Sequence, residues 1–425
     1  MTCSRIAGRI VAAGVLCAAS GAGGQEWTRF RGPNGRGISH AKTIPVRWTQ
    51  REVNWRVELA GGGESSPVVW GEKVFVTCDH RRLGSRMLAA RRASDGKLLW
   101  RKQYPPVRYS LHGRNSYAAA TPAVDANHVY ALWTTPQKTR LVALGHDGAE
   151  VWQGTFPGVH CPHGAATSPI VVDDMVIFTR EHESQGPDPS SWVAVDRETG
   201  KKRWELPRET CIKTAYSTPC LFAPKGRPPR LIFTSLAHGM TAVDPQTGKV
   251  QWELKSVFRW RVVASPVLAD GLLIGSSGQN YVAVRPPATA SGKPTVARGK
   301  GPYSYCPTPL AKDGLLFVFR DDGRVYCLRG ATGEQVWEAK PGGRFGGSPV
   351  WVDGRLYCIT MDGKVVVIRA AEKYELLAVN PLGEKSQATP AVAGGRMYLR
   401  TWTHLICVGG KAAAASPSSQ PSPGG

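Results

Sequence analysis

Six short stretches carry side chains able to do chemistry, and each lies a few residues before a Ser-Pro or Thr-Pro pair. The first holds His112, Arg114 and Asn115, and the second holds His160 and His163 around Cys161-Pro162. Lys213 and Tyr216, Trp260 and Arg261, Tyr303 and Tyr305, and then Arg344 make up the rest, with Glu181-His182 in an intervening loop. Arg and Lys suit a carboxylate or phosphate, and the aromatic rings suit a planar ring or a sugar. Together they point to an anionic or polyhydroxylated ligand. The spacing His-Cys-Pro-His is not a standard set of metal ligands, so no metal is assigned. No Ser/His/Asp constellation, Gly-rich phosphate loop or distinctive pair of carboxylates is present. Catalytic residues are therefore left unassigned.

The elements that must position these residues are repeats. Pro67, Pro122, Pro169, Pro219, Pro266, Pro309, Pro349 and Pro390 each follow Ser or Thr, at intervals of about 40 to 55 residues. The unit beginning Ser168-Pro169 shows the internal pattern: apolar Ile170 to Val172, a turn at Asp173-Asp174, apolar Met175 to Thr179, then Trp192 to Asp196, and Thr199-Gly200-Lys201 leading to Trp204. Runs this short, bounded by Asp, Gly and Pro, read as strands. Repeats of this length with several strands each predict a β-propeller. The expected fold is all-β, with eight blades of four antiparallel strands. Trp100, Trp152, Trp204, Trp252 and Trp337 close five units and are expected to pack between neighbouring blades. Two units are degenerate: the fifth has a Pro/Gly/Ala-rich stretch over 286–301 without Trp, and the seventh has 370–377 where the turn and Trp belong. The last unit stops after its third strand, and Val53 to Leu59, with Trp55, is expected to supply the fourth and close the ring.

Residues 1–22 read as a signal peptide: Arg5 and Arg9 precede a short apolar run and small residues. Residues 23–52 read as an N-terminal extension, 53–410 as the propeller and 411–425 as a disordered tail rich in Ala, Ser, Pro and Gly. No transmembrane segment is expected in the mature chain, which is placed in the periplasm or cell envelope. The formal charge of +22 favours anionic partners, but scattered basic residues and the lack of a nucleic-acid motif exclude specific nucleic-acid binding. Cys327, Cys358 and Cys407 sit in apolar strands and are read as core residues, while Cys211 and Cys220 could pair in an oxidising compartment.

The Thr-Gly-Lys-x-x-Trp ends and Ala-Val-Asp strands resemble the pyrroloquinoline-quinone (PQQ) type of propeller repeat over about residues 50 to 408. Phe30-Arg31-Gly32-Pro33-Asn34-Gly35 and Ser65-Ser66-Pro67 resemble secreted PQQ-like propellers. The resemblance implies kinship with quinoprotein alcohol dehydrogenases, which bind PQQ and calcium, and with a barrel-assembly lipoprotein scaffold. The adjacent Cys pair and haem motif of the dehydrogenase group are absent. The expected function is a secreted, non-enzymatic binding or scaffold module for an envelope protein, an anionic polymer, or an anionic or polyhydroxylated ligand at the channel mouth. The alternatives are a PQQ- or metal-dependent oxidoreductase and a carbohydrate-binding or carbohydrate-active propeller. No cofactor is expected, with PQQ and calcium as the alternative.

Overall fold

A computed structural model describes residues 26–410 except 165, 184–188, 211 and 290–291. The expected signal peptide, the C-terminal tail and Cys211 lie outside the described residues. Eight sheets surround a central channel, each with four antiparallel strands ordered from the channel outward. Blade 3 shows the plan, with Ile170–Val172 innermost, then Met175–Arg180, Ser190–Asp196 and Lys202–Arg208. Blade 8 is completed by Val53–Glu58, antiparallel to His404–Gly409, so the ring closes as expected. The apolar core is not one centre but a series of layers between neighbouring blades, such as Phe75, Leu88 and Ala90 of blade 1 against Val129 and Val142 of blade 2.

Two belts join the blades. The inner one uses the repeated Ser or Thr. Each backbone N–H donates to the hydroxyl of the equivalent residue in the next blade, in the order Ser66, Thr121, Ser168, Thr218, Ser265, Thr308, Ser348, Thr389 and back to Ser66, at 2.9–3.3 Å. The eight side chains alternate strictly between Ser and Thr, and all are buried. The Pro that follows has no N–H, so no donor is stranded at this crowded edge.

The outer belt uses the fourth strand. Trp55, Trp100, Trp152, Trp204 and Trp337 each donate from Nε1 to a backbone carbonyl in the next blade: Ala93, His146, Arg197, Pro245 and Ala371, at 2.9–3.0 Å. Each indole lies beside a small third-strand residue, as Trp204 pairs with Ala194, Trp55 with Cys407 and Trp337 with Cys327. Cys327 and Cys407 are thus space-saving core residues, and Cys220 is likewise a buried thiol of the inner strand of blade 4. The receiving turn needs Gly: at Gly200, φ is 70° and an added Cβ would lie 2.6 Å from the Trp152 ring.

The degenerate blades keep four strands but fill the belt differently. In blade 5 the outer strand is Thr295–Arg298, and Arg298 takes the Trp position opposite Ala283. Its guanidinium donates to the Gly330 and Ala331 carbonyls of blade 6. In blade 7 the position is Ala378, opposite Val367. Blade 8 has no turn between third and fourth strands to receive an indole, because those strands come from opposite ends of the chain. Trp48 of the N-terminal connection joins the apolar cluster of Ala378 and Leu382 instead, its backbone N–H held by Asn380 Oδ1 at 3.1 Å.

Residues 26–42 plug the channel. Trp27 pairs with Val69 of blade 1 and Thr28 accepts from the Val124 N–H of blade 2. Arg29 and Arg31 are buried and donate to the Pro219 and Pro309 carbonyls of blades 4 and 6. The chain then turns and leaves along the inner strand of blade 7, where Ile38–Ser39 runs parallel to Val350–Val352. The turn demands Gly32, at φ 66°, where a Cβ would lie 2.6 Å from the Trp27 ring. Burial without a carboxylate pulls Arg29 down to about 10 and Arg31 down to about 9, and the nearby Arg29 charge lowers Arg31 further.

Candidate functional site

The leading loops before each inner strand gather at the other end of the channel from Gly71 and Glu26, and they surround a cavity of about 680 Å³. Its floor combines Phe30 from the plug with ring residues Thr121, Ser168, Thr218, Ser348 and Thr389. The wall holds His112, Arg114, Asn115, His163, Lys213, Tyr216, Arg261 and Tyr305 from the sequence-derived set. Glu64, Glu183, Cys306 and Asp321 supply the remaining ionisable groups.

The wall is built around one ion-pair cluster. Glu183 receives Arg261 Nη2 at 2.5 Å on one oxygen and Lys213 Nζ at 3.1 Å on the other. Burial opposes the Glu183 charge, but these two donors hold its carboxyl below the usual range. Arg261 also donates to the Tyr305 hydroxyl at 3.2 Å and lies 6.0 Å from the Tyr216 ring centre. One carboxylate shared by two cations leaves one positive charge, which the carboxylate of Asp321 in the same lining offsets. Arg114 restores the excess, since its exposed side chain makes no ion pair with a described residue.

His163 is neutral at physiological pH. Burial, then the charges of Arg261 and His112, push it down to about 4. Its Nδ1 lies 2.9 Å from Asn115 Oδ1, so the proton belongs on Nδ1 and Nε2 carries the lone pair. Glu64 is pushed the other way, up to about 7, chiefly by burial. Hydrogen bonds from Ser116 and the charge of Arg400 oppose that rise, and Asp79 adds to it.

Other sequence-derived residues lie elsewhere. Glu181 is buried between blades 3 and 4, accepting from Trp192 Nε1 at 2.8 Å and Ser235 Oγ at 3.2 Å. His182 is also buried, its Nδ1 3.2 Å from the His160 N–H, and the two rings stack at 6.1 Å. His160 is exposed on this edge and does not line the cavity. Trp260 lies outside the wall with Lys213 Nζ 5.5 Å above its ring, and Tyr303 packs under the Arg320 guanidinium at 4.6 Å. Arg344 lines a neighbouring cleft. Sequence reasoning missed Glu183 although it follows Glu181-His182 directly. Position 181 follows the end of its strand and is held in the blade interface, whereas 183 has cleared it. Nothing in the sequence marked Phe30 as a floor.

A channel closed on one side by its own N-terminal segment, with a cationic mouth on the other, defines a plugged eight-bladed propeller of the PQQ-like type. The chain belongs to the family described as "Outer membrane protein assembly factor BamB", which matches residues 84–339 and 293–419. No curated protein matches it. Among solved structures it is similar to a europium-containing methanol dehydrogenase (TM-score 0.67, 14% identity, 88% of this chain and 89% of that one). It is similar also to the quinohemoprotein alcohol dehydrogenase of Comamonas testosteroni (TM-score 0.66, 15% identity, 93% and 82%). BamB from Moraxella catarrhalis aligns over 83% of this chain and 96% of its own, with TM-score 0.55 and 15% identity. At such identities the likeness is one of fold.

A quinone with its metal can be tested against the donor set. Among the described residues no group of three or more His, Cys, Asp or Glu is arranged to hold a metal ion. Both Glu183 oxygens are already taken by cations and Glu64 is largely protonated below neutrality, which leaves Asp321 as the one carboxylate of the lining with no cation among the described residues. The residues fit the anionic part of such a cofactor and not its calcium. No helix among the described residues is long and apolar enough to cross a membrane.

Proposed function

We propose that this protein is an exported binding module of the periplasm or cell envelope that holds an anionic, hydroxyl-bearing ligand at the mouth of its ring. The observation that carries the reading is the cationic wall, in which Arg261 and Lys213 share the carboxylate of Glu183 and Arg114, with no ion pair to a described residue, gives the cations their excess over Glu183 and Asp321. Asn115, neutral His163 and Tyr305 supply the hydroxyl and lone-pair partners that a sugar needs. Export is supported by the basic and then apolar start of the chain and by the family's outer-membrane description.

Calorimetric titration with galacturonate and with neutral galactose tests it. The acid sugar should bind and the neutral one bind at least about tenfold more weakly, and Arg261→Ala should weaken the acid about tenfold or more. No binding of any sugar acid or sugar phosphate to folded protein overturns the reading. Stoichiometric retention of PQQ with calcium through gel filtration would overturn it in favour of an oxidoreductase.

The mouth should also respond to pH. Glu64 gains its charge as pH rises through about 7, adding repulsion for an anion. Affinity should therefore fall severalfold between pH 6 and pH 8, and Glu64→Gln should flatten that part of the profile.

A further inference from the structure

Beside the mouth lies a second cleft of about 300 Å³, between blades 7, 8 and 1. Glu64, Arg114, Met361 and Gln387 line both spaces, so the two are continuous. The cleft adds Arg81, Arg344 and Lys385, and with Arg114 it presents four exposed cations. Their chemistry differs from that of Arg261 and Lys213, which are tied to Glu183. None of these four makes an ion pair with a described residue. Arg344 Nε and Arg81 Nη1 reach only backbone carbonyls, those of Asp321 at 2.9 Å and Gly113 at 3.4 Å. Lys385 Nζ sits over the Trp402 ring at 4.7 Å. The neighbouring acid Glu384 is not available to them. Burial works against its charge, but Thr401, Thr403 and His404 occupy it with hydrogen bonds and hold it down to about 2.

Resting on the reading above, we infer that the ligand is a chain: an acidic oligosaccharide that places one anionic group in the mouth and further ones in the side cleft along Arg114, Arg344, Lys385 and Arg81. Uncompensated like charges held side by side are costly, and an anion repeating along a chain relieves them. Concave walls carrying carboxamides (Asn115, Gln387) fit a hydroxyl-bearing chain rather than a flat lipid surface. The cleft holds a single aromatic ring, Trp402, already covered by Lys385, and so lacks the successive stacking faces of a site for single-stranded nucleic acid.

The test titrates the full chain with galacturonide oligomers of one, two and four residues, and with sulfated oligosaccharides of the same lengths. These two arms separate carboxylate from sulfate as the anion. The tetramer should bind at least about tenfold tighter than the monomer in one arm or both. The double variant Arg344→Ala/Lys385→Ala should lose about tenfold or more for the tetramer, leave the monomer unchanged and flatten the salt dependence for the tetramer only. Both side chains are exposed, so its unfolding midpoint should match the parent. Equal affinity at every length overturns the inference while leaving a mouth that binds monomers. Failure of the monomer as well takes the mouth reading with it. A single-stranded oligonucleotide that bound more tightly than the tetramer, with the same loss in the double variant, would overturn the ligand class.

Discussion

The inner and outer belts fasten the same eight blades in the same direction, yet only one of them tolerates change. The inner belt is uniform: a hydroxyl accepts a backbone N–H at every one of the eight joints. The outer belt holds Trp at six positions, Arg298 at another and Ala378 at the last. The difference follows from crowding. Where the inner strands converge, all eight side chains are buried, and an N–H left without its acceptor there would be stranded. At the rim the blades diverge, and the position takes an indole, the Arg298 guanidinium or, in blade 7, only the methyl group of Ala378. Arg298 donates to the Gly330 carbonyl, as an indole does to its own.

The largest effect is expected in the outer belt. Trp204→Ala should remove about 3–5 kcal/mol from the unfolding free energy, measured by denaturant titration, because the indole is buried and leaves a cavity between blades 3 and 4. Gly200→Ala should cost about 2–4 kcal/mol by the same measurement, combining a left-handed backbone with a Cβ driven into Trp152. Thr218→Ala should cost about 1–3 kcal/mol, since the Ser168 N–H loses its acceptor while buried, and Thr218→Ser should restore most of it. Arg298→Ala should cost about 1 kcal/mol, read as a small drop in thermal midpoint, because its site is partly exposed and the lost bonds can go to water. An Arg298 effect as large as that of Trp204 would erase the distinction between the belts.

Much of this was legible in the sequence because a repeat displays each structural demand several times over. The Ser/Thr-Pro marks located the blades, and Val53 to Leu59 showed itself as a displaced fourth strand by carrying Trp55 in the right pattern. The role of the hydroxyls was not legible, since a Ser before Pro looks the same whether it caps a turn or bridges two blades. Arg298 was hidden because its stretch has no Trp and the register of a strand is set by its partner, here Ala283. In the site, the leading loops were found from their chemistry, and His163, Lys213 and Arg261 do share one wall. Glu181 and His182 were indistinguishable from mouth residues by type alone. Only the strand end decides that Glu181 faces Trp192 and Glu183 faces Arg261.

Phe30 gives the molecule a further property. The residue forms the floor of the mouth, yet it belongs to a segment anchored to the Val69–Gly71 end of the channel through Trp27 and Glu26. Under the proposed function, contact of a ligand with that floor and docking of the segment are two halves of one equilibrium. Whatever tightens the ligand must secure the segment by the same free energy, and whatever pulls on the segment must loosen the ligand. The two ends of the channel are closed to one another as a passage, but they remain in mechanical conversation through the five residues of backbone from Glu26 to Phe30.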